Sequence, residues 1–173
     1  MRARKMWEEY LRLRPKGFWS DLIRSYLGIR LRRPVPAPPE QIGGVGVDCL
    51  ERLEELEEAY EMDTFVVGRL RFKVWNFPES CFKAVVWENA WYFGEGRNDG
   101  FIVAEEGYEG TTALGVGIGT SVDELLEKYG PPERTERTTV GRSYIYPSRG
   151  IAFDIVEGKV ASWYIFRPLG EKR

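Results

Sequence analysis

Gly115-Val-Gly-Ile-Gly-Thr-Ser-Val-Asp-Glu-Leu-Leu-Glu-Lys-Tyr-Gly-Pro-Pro-Glu133 is the stretch that decides the fold. It reads as a glycine-spaced strand end, a capped short helix and a hard stop. Ser121 and Glu124 fit the S-x-x-E capping box, in which a side-chain oxygen satisfies a free N–H of the first turn. Val122, Leu125, Leu126 and Tyr129 form an apolar stripe at helical spacing. Gly130 tolerates a positive φ at the helix end, and Pro131-Pro132 forbid continuation. Three strand-like runs follow: Val140–Tyr146, Gly150–Val156 and Lys159–Phe166. Glu157-Gly158 suits a two-residue hairpin turn that pairs Val156 with Lys159. Strict alternation outward from that turn puts Ile151, Phe153, Ile155, Val160, Tyr164 and Phe166 on a helix-covered face. Ala152, Asp154, Val156, Lys159, Ala161, Trp163 and Ile165 then share the opposite face.

Upstream, a second helix is expected from Asp48 to about Tyr60, with Leu50, Leu53, Leu56 and Tyr60 buried and Asp48 and Glu51 at its cap. Its wet side would carry Glu54, Glu55, Glu57, Glu58 and Glu61. Strand-like alternation begins at Phe65, with Arg69, Arg71 and Lys73 on one side and Leu70, Phe72 and Val74 on the other. Phe82–Trp87, Trp91–Phe93 and Phe101–Ala104 continue the β-rich run around a turn at Gly94–Gly100. The halves echo each other at an offset of roughly 70 residues. Gly44-Val-Gly-Val47 and a helix ending Glu58-Ala59-Tyr60 match Gly115-Val-Gly-Ile118 and Glu127-Lys128-Tyr129. Ala90-Trp-Tyr-Phe93 matches Ala161–Phe166. The expected fold class is therefore α+β, two tandem helix-plus-antiparallel-sheet units (42–110 and 111–173) packed as one domain.

Ahead of them lies a helical leader, residues 1–34, joined by the proline-rich connector 35–41. The leader holds ten Lys/Arg against Glu8, Glu9 and Asp21, a net +7; the remainder holds fifteen against twenty-four, a net −9. Trp19, Leu22, Ile23, Tyr26 and Leu27 fall on one helical stripe. A basic leader on an acidic body either folds back on that body or meets nucleic acid, an anionic membrane surface or an acidic partner.

Several function classes find little support. The sequence has no histidine, the commonest general base near neutral pH. Cys49 and Cys81 lack metal-ligand spacing and activating neighbours; reduced cytoplasmic thiols are expected, with a disulfide as the alternative. Gly94–Gly100 lacks the oxygen-ligand spacing of a calcium loop. The Gly115–Ser121 loop departs from G-x-G-x-x-G and has no P-loop lysine, so its glycines read as structural rather than as an anion cradle. The basic N-terminus has no apolar segment after it, Cys49 no lipobox before it, and no apolar run is long enough to span a bilayer. Catalysis, cofactor and metal are accordingly not expected.

The second half resembles a known pattern. Gly117-Ile-Gly-Thr-Ser-Val-Asp-Glu-Leu-Leu-Glu-Lys-Tyr-Gly-Pro-Pro, the later Tyr144-Ile-Tyr146, Gly150-Ile-Ala-Phe and Val160-Ala-Ser-Trp-Tyr-Ile are similar to the α/β module of the SmpA/OmlA-type outer-membrane assembly proteins. β-Lactamase inhibitor protein carries a similar module in tandem. The resemblance covers mainly residues 111–167. It implies a non-catalytic protein that binds other proteins on an exposed sheet, such as an intracellular inhibitor or immunity-type factor. Those families are exported, whereas this chain lacks an export signal.

The candidate partner-binding residues are Trp163 and Ile165 on the presumed open face, joined by Trp87, Trp91, Tyr144 and Tyr146, with Arg69, Arg71 and Lys73 steering encounter. The competing uses are nucleic-acid or anionic-surface binding through the leader, homodimerisation through the same apolar face, and burial of that face by the chain itself.

Overall fold

The computed structural model describes residues 40–50, 52–56, 58–67, 70–90 and 97–168. Among them the fold is mostly β, one open antiparallel sheet of eight strands with a single short α-helix. Strands β1 (Tyr60–Val67), β2 (Leu70–Phe77), β3 (Phe82–Ala90) and β4 (Arg97–Ala104) form one meander. Helix α1 (Val122–Tyr129) follows, then a second meander of β5 (Arg134–Arg137), β6 (Arg142–Tyr146), β7 (Ile151–Val156) and β8 (Lys159–Phe166). The spatial order is β1-β2-β3-β4-β8-β7-β6-β5. The last strands of the two meanders thus meet at the centre, where Phe101 to Ala104 pair with Phe166 to Trp163. The first strands of each become the edges.

Helix α1 forms as its sequence dictates. Ser121 caps it, its Oγ accepting from the Glu124 N–H at 3.2 Å, and Gly130 ends it at φ 74°. The Glu124 carboxylate does not close the box; it takes Lys128 Nζ at 2.7 Å, and Lys128 also donates to the Gly115 carbonyl at 3.0 Å. Leu125 and Tyr129 are buried, and Tyr129 packs edge-on against Phe153.

The expected helix at 48–60 is replaced by one 3-10 turn, Leu53–Glu55, and Tyr60 instead opens β1. Leucines spaced by three suit a three-residue turn, and a run of glutamates three and four apart opposes an α-helix. Glu58 is committed elsewhere, accepting from Ser80 N and Oγ at 2.6 and 2.8 Å across the β2–β3 turn. Leu50 and Leu53, with Ile42, Val45 and Val47, still reach the core, packed with Trp75, Phe77, Phe82 and Ile102. The expected turn at Gly94–Gly100 is also corrected, since Arg97–Gly100 belong to β4. The leader 1–34, most of the connector and the 91–93 run lie outside the described residues.

The largest correction concerns the last hairpin. The Glu157-Gly158 turn is there, both residues at positive φ, and Val156 pairs with Lys159. Ile155 pairs with Val160, but Asp154 pairs with Ser162, so Ala161 is an extra residue in β8. One bulge inverts the facing of everything beyond it. Trp163 and Ile165 therefore lie with Phe153 and Ile151 on the α1 side, both at 0 % exposure, while Tyr164 and Phe166 move to the other face.

Candidate binding face

The register sorts the sheet into two faces. The inner face packs against α1 and the 42–53 segment. The outer face carries a row of partners that crosses all eight strands: Arg134, Ile145, Ala152, Tyr164, Val103, Lys83, Asn76 and Tyr60. Beside it runs a shorter polar row, Glu136, Ser143, Asp154 and Ser162.

Where these rows meet, Asp154 gathers three hydroxyls. Its carboxylate accepts from Tyr164 OH at 2.7 Å, from Ser162 Oγ at 3.1 Å and from Ser143 Oγ. Burial, then the neighbouring Asp154 charge, holds the Tyr164 phenol well above its ordinary pKa. The phenol therefore stays a neutral donor, and the cluster braces β6, β7 and β8. Its hydroxyls are engaged with one carboxylate, an arrangement suited to fixing geometry rather than moving protons.

Toward β1 the same face is part-covered, with Phe72, Val85 and Phe101 buried and Tyr60 exposed. Val74 and Val103 are half-buried, and around them lie Tyr60, Asn76, Lys83 and Glu105. Asn76 Nδ2 donates to Tyr60 OH at 2.7 Å, and Lys83 Nζ meets Glu105 Oε1 at 2.7 Å. Tyr60 is 50 % exposed and Lys83 and Glu105 are half-buried, whereas Asn76 is buried, so the apolar pair has a polar rim on the side of Tyr60, Lys83 and Glu105.

The residues singled out from sequence fall differently. Trp163, Ile165, Tyr144, Tyr146, Arg71 and Lys73 do share one face, but it is the inner one. Tyr146 is buried, its OH donating to the Gly130 carbonyl at 2.9 Å, and Tyr144 is half-buried against the core. Lys73 sits over the Trp75 ring at 5.7 Å. Trp163 is enclosed beside Tyr108, ring centres 6.0 Å apart, and its indole N–H has no hydrogen-bond partner. Trp87 pairs in register with Phe72 and Asp99. Trp91 and Arg69 lie outside the described residues. Sequence reasoning missed the Asp154 cluster because strict alternation separated Ser162 and Tyr164 from Asp154. The adjacent small residues Ala161-Ser162 were the available sign of a bulge.

In the glycine loop before α1 each glycine N–H is occupied. Gly115 N donates to Thr112 O, Val116 N to Thr112 Oγ1, Gly117 N to Thr120 Oγ1 and Gly119 N to Val160 O. The loop is thus stitched to itself and to β8, with Thr120 O accepting in return from Val160 N. Among the described residues no three His, Cys, Asp or Glu side chains are grouped to hold a metal ion, and no helix is long and apolar enough to cross a membrane.

No family model matches this chain, and neither the curated proteins nor the solved structures yield a significant match.

Proposed function

We propose that the chain is a non-catalytic protein-binding module, an intracellular inhibitor or immunity-type factor built from two α/β units in tandem. Its binding surface is the β1–β4 half of the outer face. The observation that carries this reading is the rim of Tyr60, Lys83 and Glu105 beside Val74 and Val103. An apolar centre that excludes water inside a polar margin is the common anatomy of a protein interface. The tandem reading is supported by the two four-strand meanders, each covered on the same side by the segment that precedes or opens it. Free thiols at Cys49 and Cys81 suit a reducing compartment.

The test is affinity capture from native lysate with the full chain and with Val103→Glu, Lys83→Glu and Arg137→Glu variants. A stoichiometric protein held by wild type and by Arg137→Glu, on the far edge strand, is expected to be lost with Val103→Glu and weakened with Lys83→Glu. Retention by both outer-face variants would refute the reading. A pair of identical chains held through the same residues would make the surface a homodimer interface. The charge asymmetry favours a second reading, nucleic-acid or anionic-surface binding through the basic leader. That binding would be salt-sensitive and lost on charge reversal at Arg30, Arg32 and Arg33.

A further inference from the structure

The hairpin that joins β5 to β6 breaks a rule kept by the rest of the sheet. Arg137 and Arg142 are partners in register, so their side chains leave the sheet together, on the inner side that Ile155, the next partner of Arg142, also takes. Among the described strand pairs no other sets two like charges opposite each other. The Thr138 N–H donates to the Gly141 carbonyl at 3.0 Å one step nearer the tip. The arginine pair therefore falls at a non-hydrogen-bonded position, where opposed Cα atoms are about 4.5 Å apart and side chains are closest. Like charges so placed destabilise a strand pair. Nothing in the described chain offsets them: both arginines are exposed, and neither has an ion pair or a side-chain hydrogen bond among the described residues.

The tip that carries the pair is held in place. Gly141 N donates to Thr138 Oγ1 at 2.9 Å, and a Cβ on Gly141 would collide with the Ile155 carbonyl oxygen, so the loop lies hard against β7. Val140, between the two arginines in sequence, is 70 % exposed, more than any other large hydrophobic among the described residues. Residues 134–142 hold three arginines against Glu136 alone, a net +2, on a body of −9. Arg134 is bonded to that glutamate at 3.1 Å, which leaves the surplus on Arg137 and Arg142. Two fixed positive charges and an exposed valine thus stand together on one short hairpin.

From these we infer that Arg137 and Arg142 form an anion site for a phosphate monoester, with Val140 beside the carbon group that bears the phosphate. A monoester is close to a dianion at neutral pH and presents three acceptor oxygens. One such group meets two guanidinium forks at once, so binding removes the repulsion that the free pair carries. A phosphodiester or a carboxylate brings a single charge and leaves one guanidinium unmatched. The site lies at the opposite edge of the sheet from Tyr60 and on the other side of it. It does not rest on the partner-binding reading, and Arg137→Glu separates the two: the phosphate is lost while the protein partner is kept.

The experiment follows the backbone amides of the full, isotope-labelled chain at constant ionic strength and about pH 7.5, where the monoester is nearly all dianion. Titration with phenyl phosphate is expected to give saturable shifts centred on residues 137–142. Diphenyl phosphate, a diester, is expected to bind about tenfold more weakly, the loss of one charge-assisted hydrogen bond. Arg142→Gln and Arg137→Glu are each expected to remove the response. Without phosphate both variants should melt no lower than wild type, since each relieves the repulsion, and phenyl phosphate should raise the Tm of wild type alone. Shifts that do not saturate, equal binding of the two esters, or an undiminished response in either variant would overturn the site. A Tm lowered in both variants would overturn it too, by showing that the two arginines serve the fold. Oligothymidylate or phosphatidylserine vesicles held more tightly than phenyl phosphate through residues 137–142 would overturn the monoester and make the ligand a polyanionic surface.

Discussion

The two meanders solve the same covering problem with unlike materials. The second places a capped, eight-residue helix over Phe153 and Tyr146. The first uses an irregular run, Ile42 to Leu53, with a single 3-10 turn and no side-chain cap. Both deliver a few buried aliphatic side chains onto an antiparallel sheet. The difference teaches that what the sheet requires is apolar contact, with regular backbone as one of several ways of supplying it. Seen this way, the two halves should respond alike to lost core volume and differently to lost backbone chemistry.

Trp163→Ala should have the largest effect, about 3–5 kcal/mol by denaturant unfolding, because it empties a site at the seam that serves both halves. Trp163→Phe should cost much less, since it removes a buried N–H without a partner while keeping most of the ring. A loss below about 1 kcal/mol for Trp163→Ala would deny the seam its place in the core. Next, Leu53→Ala and Leu125→Ala should each cost about 2–5 kcal/mol and agree closely. A much cheaper Leu53→Ala would break the equivalence of the two covers.

Asp154→Ala should cost about 1–3 kcal/mol by leaving three hydroxyls without their acceptor. Hydrogen exchange should then quicken in β6–β8 and not in β1–β3. Ser121→Ala should cost about 1 kcal/mol, and no matching loss is available at Arg52, where no side chain caps the 3-10 turn.

The smallest effect at neutral pH is that of Tyr129→Phe. Burial pushes the Tyr129 and Tyr146 phenols up to about 12. Ionisation is then easier in the unfolded chain than in the folded one. The stability tied to these neutral phenols is complete below about pH 10 and lost progressively as pH rises toward 12. Thermal unfolding followed from pH 8 to pH 12 should show Tm falling less steeply in Tyr129→Phe than in wild type.

Legibility in the sequence followed the range of the forces at work. Helix α1 was readable because its cap, stripe and stop are all local: Ser121, Leu125 and Pro131 each act within a turn. The strands β6 to β8 were readable for the same reason, and so was the Glu157-Gly158 turn. The 48–60 segment misled because leucine spacing alone does not separate a 3-10 turn from an α-helix. What separated them was Glu58 bonding to Ser80, twenty-two residues away. The binding face was the least legible. Its composition depends on which side of β8 each residue takes, and that is set by pairing across strands rather than along one.

Ala161 has a consequence for how this protein tolerates change. In a saturation scan, β8 should show two interleaved patterns out of step: intolerance of polar residues at 160, then at 163 and 165, with the skipped beat at 161–162. Removing Ala161 would leave Trp163 and Ile165 under the helix and only straighten the strand, whereas pairing Ala161 in regular register would offer them to the outer surface and draw Ser162 and Tyr164 under the helix. The skipped pairing at Ala161, not its methyl group, is thus the punctuation mark that keeps the last strand in frame.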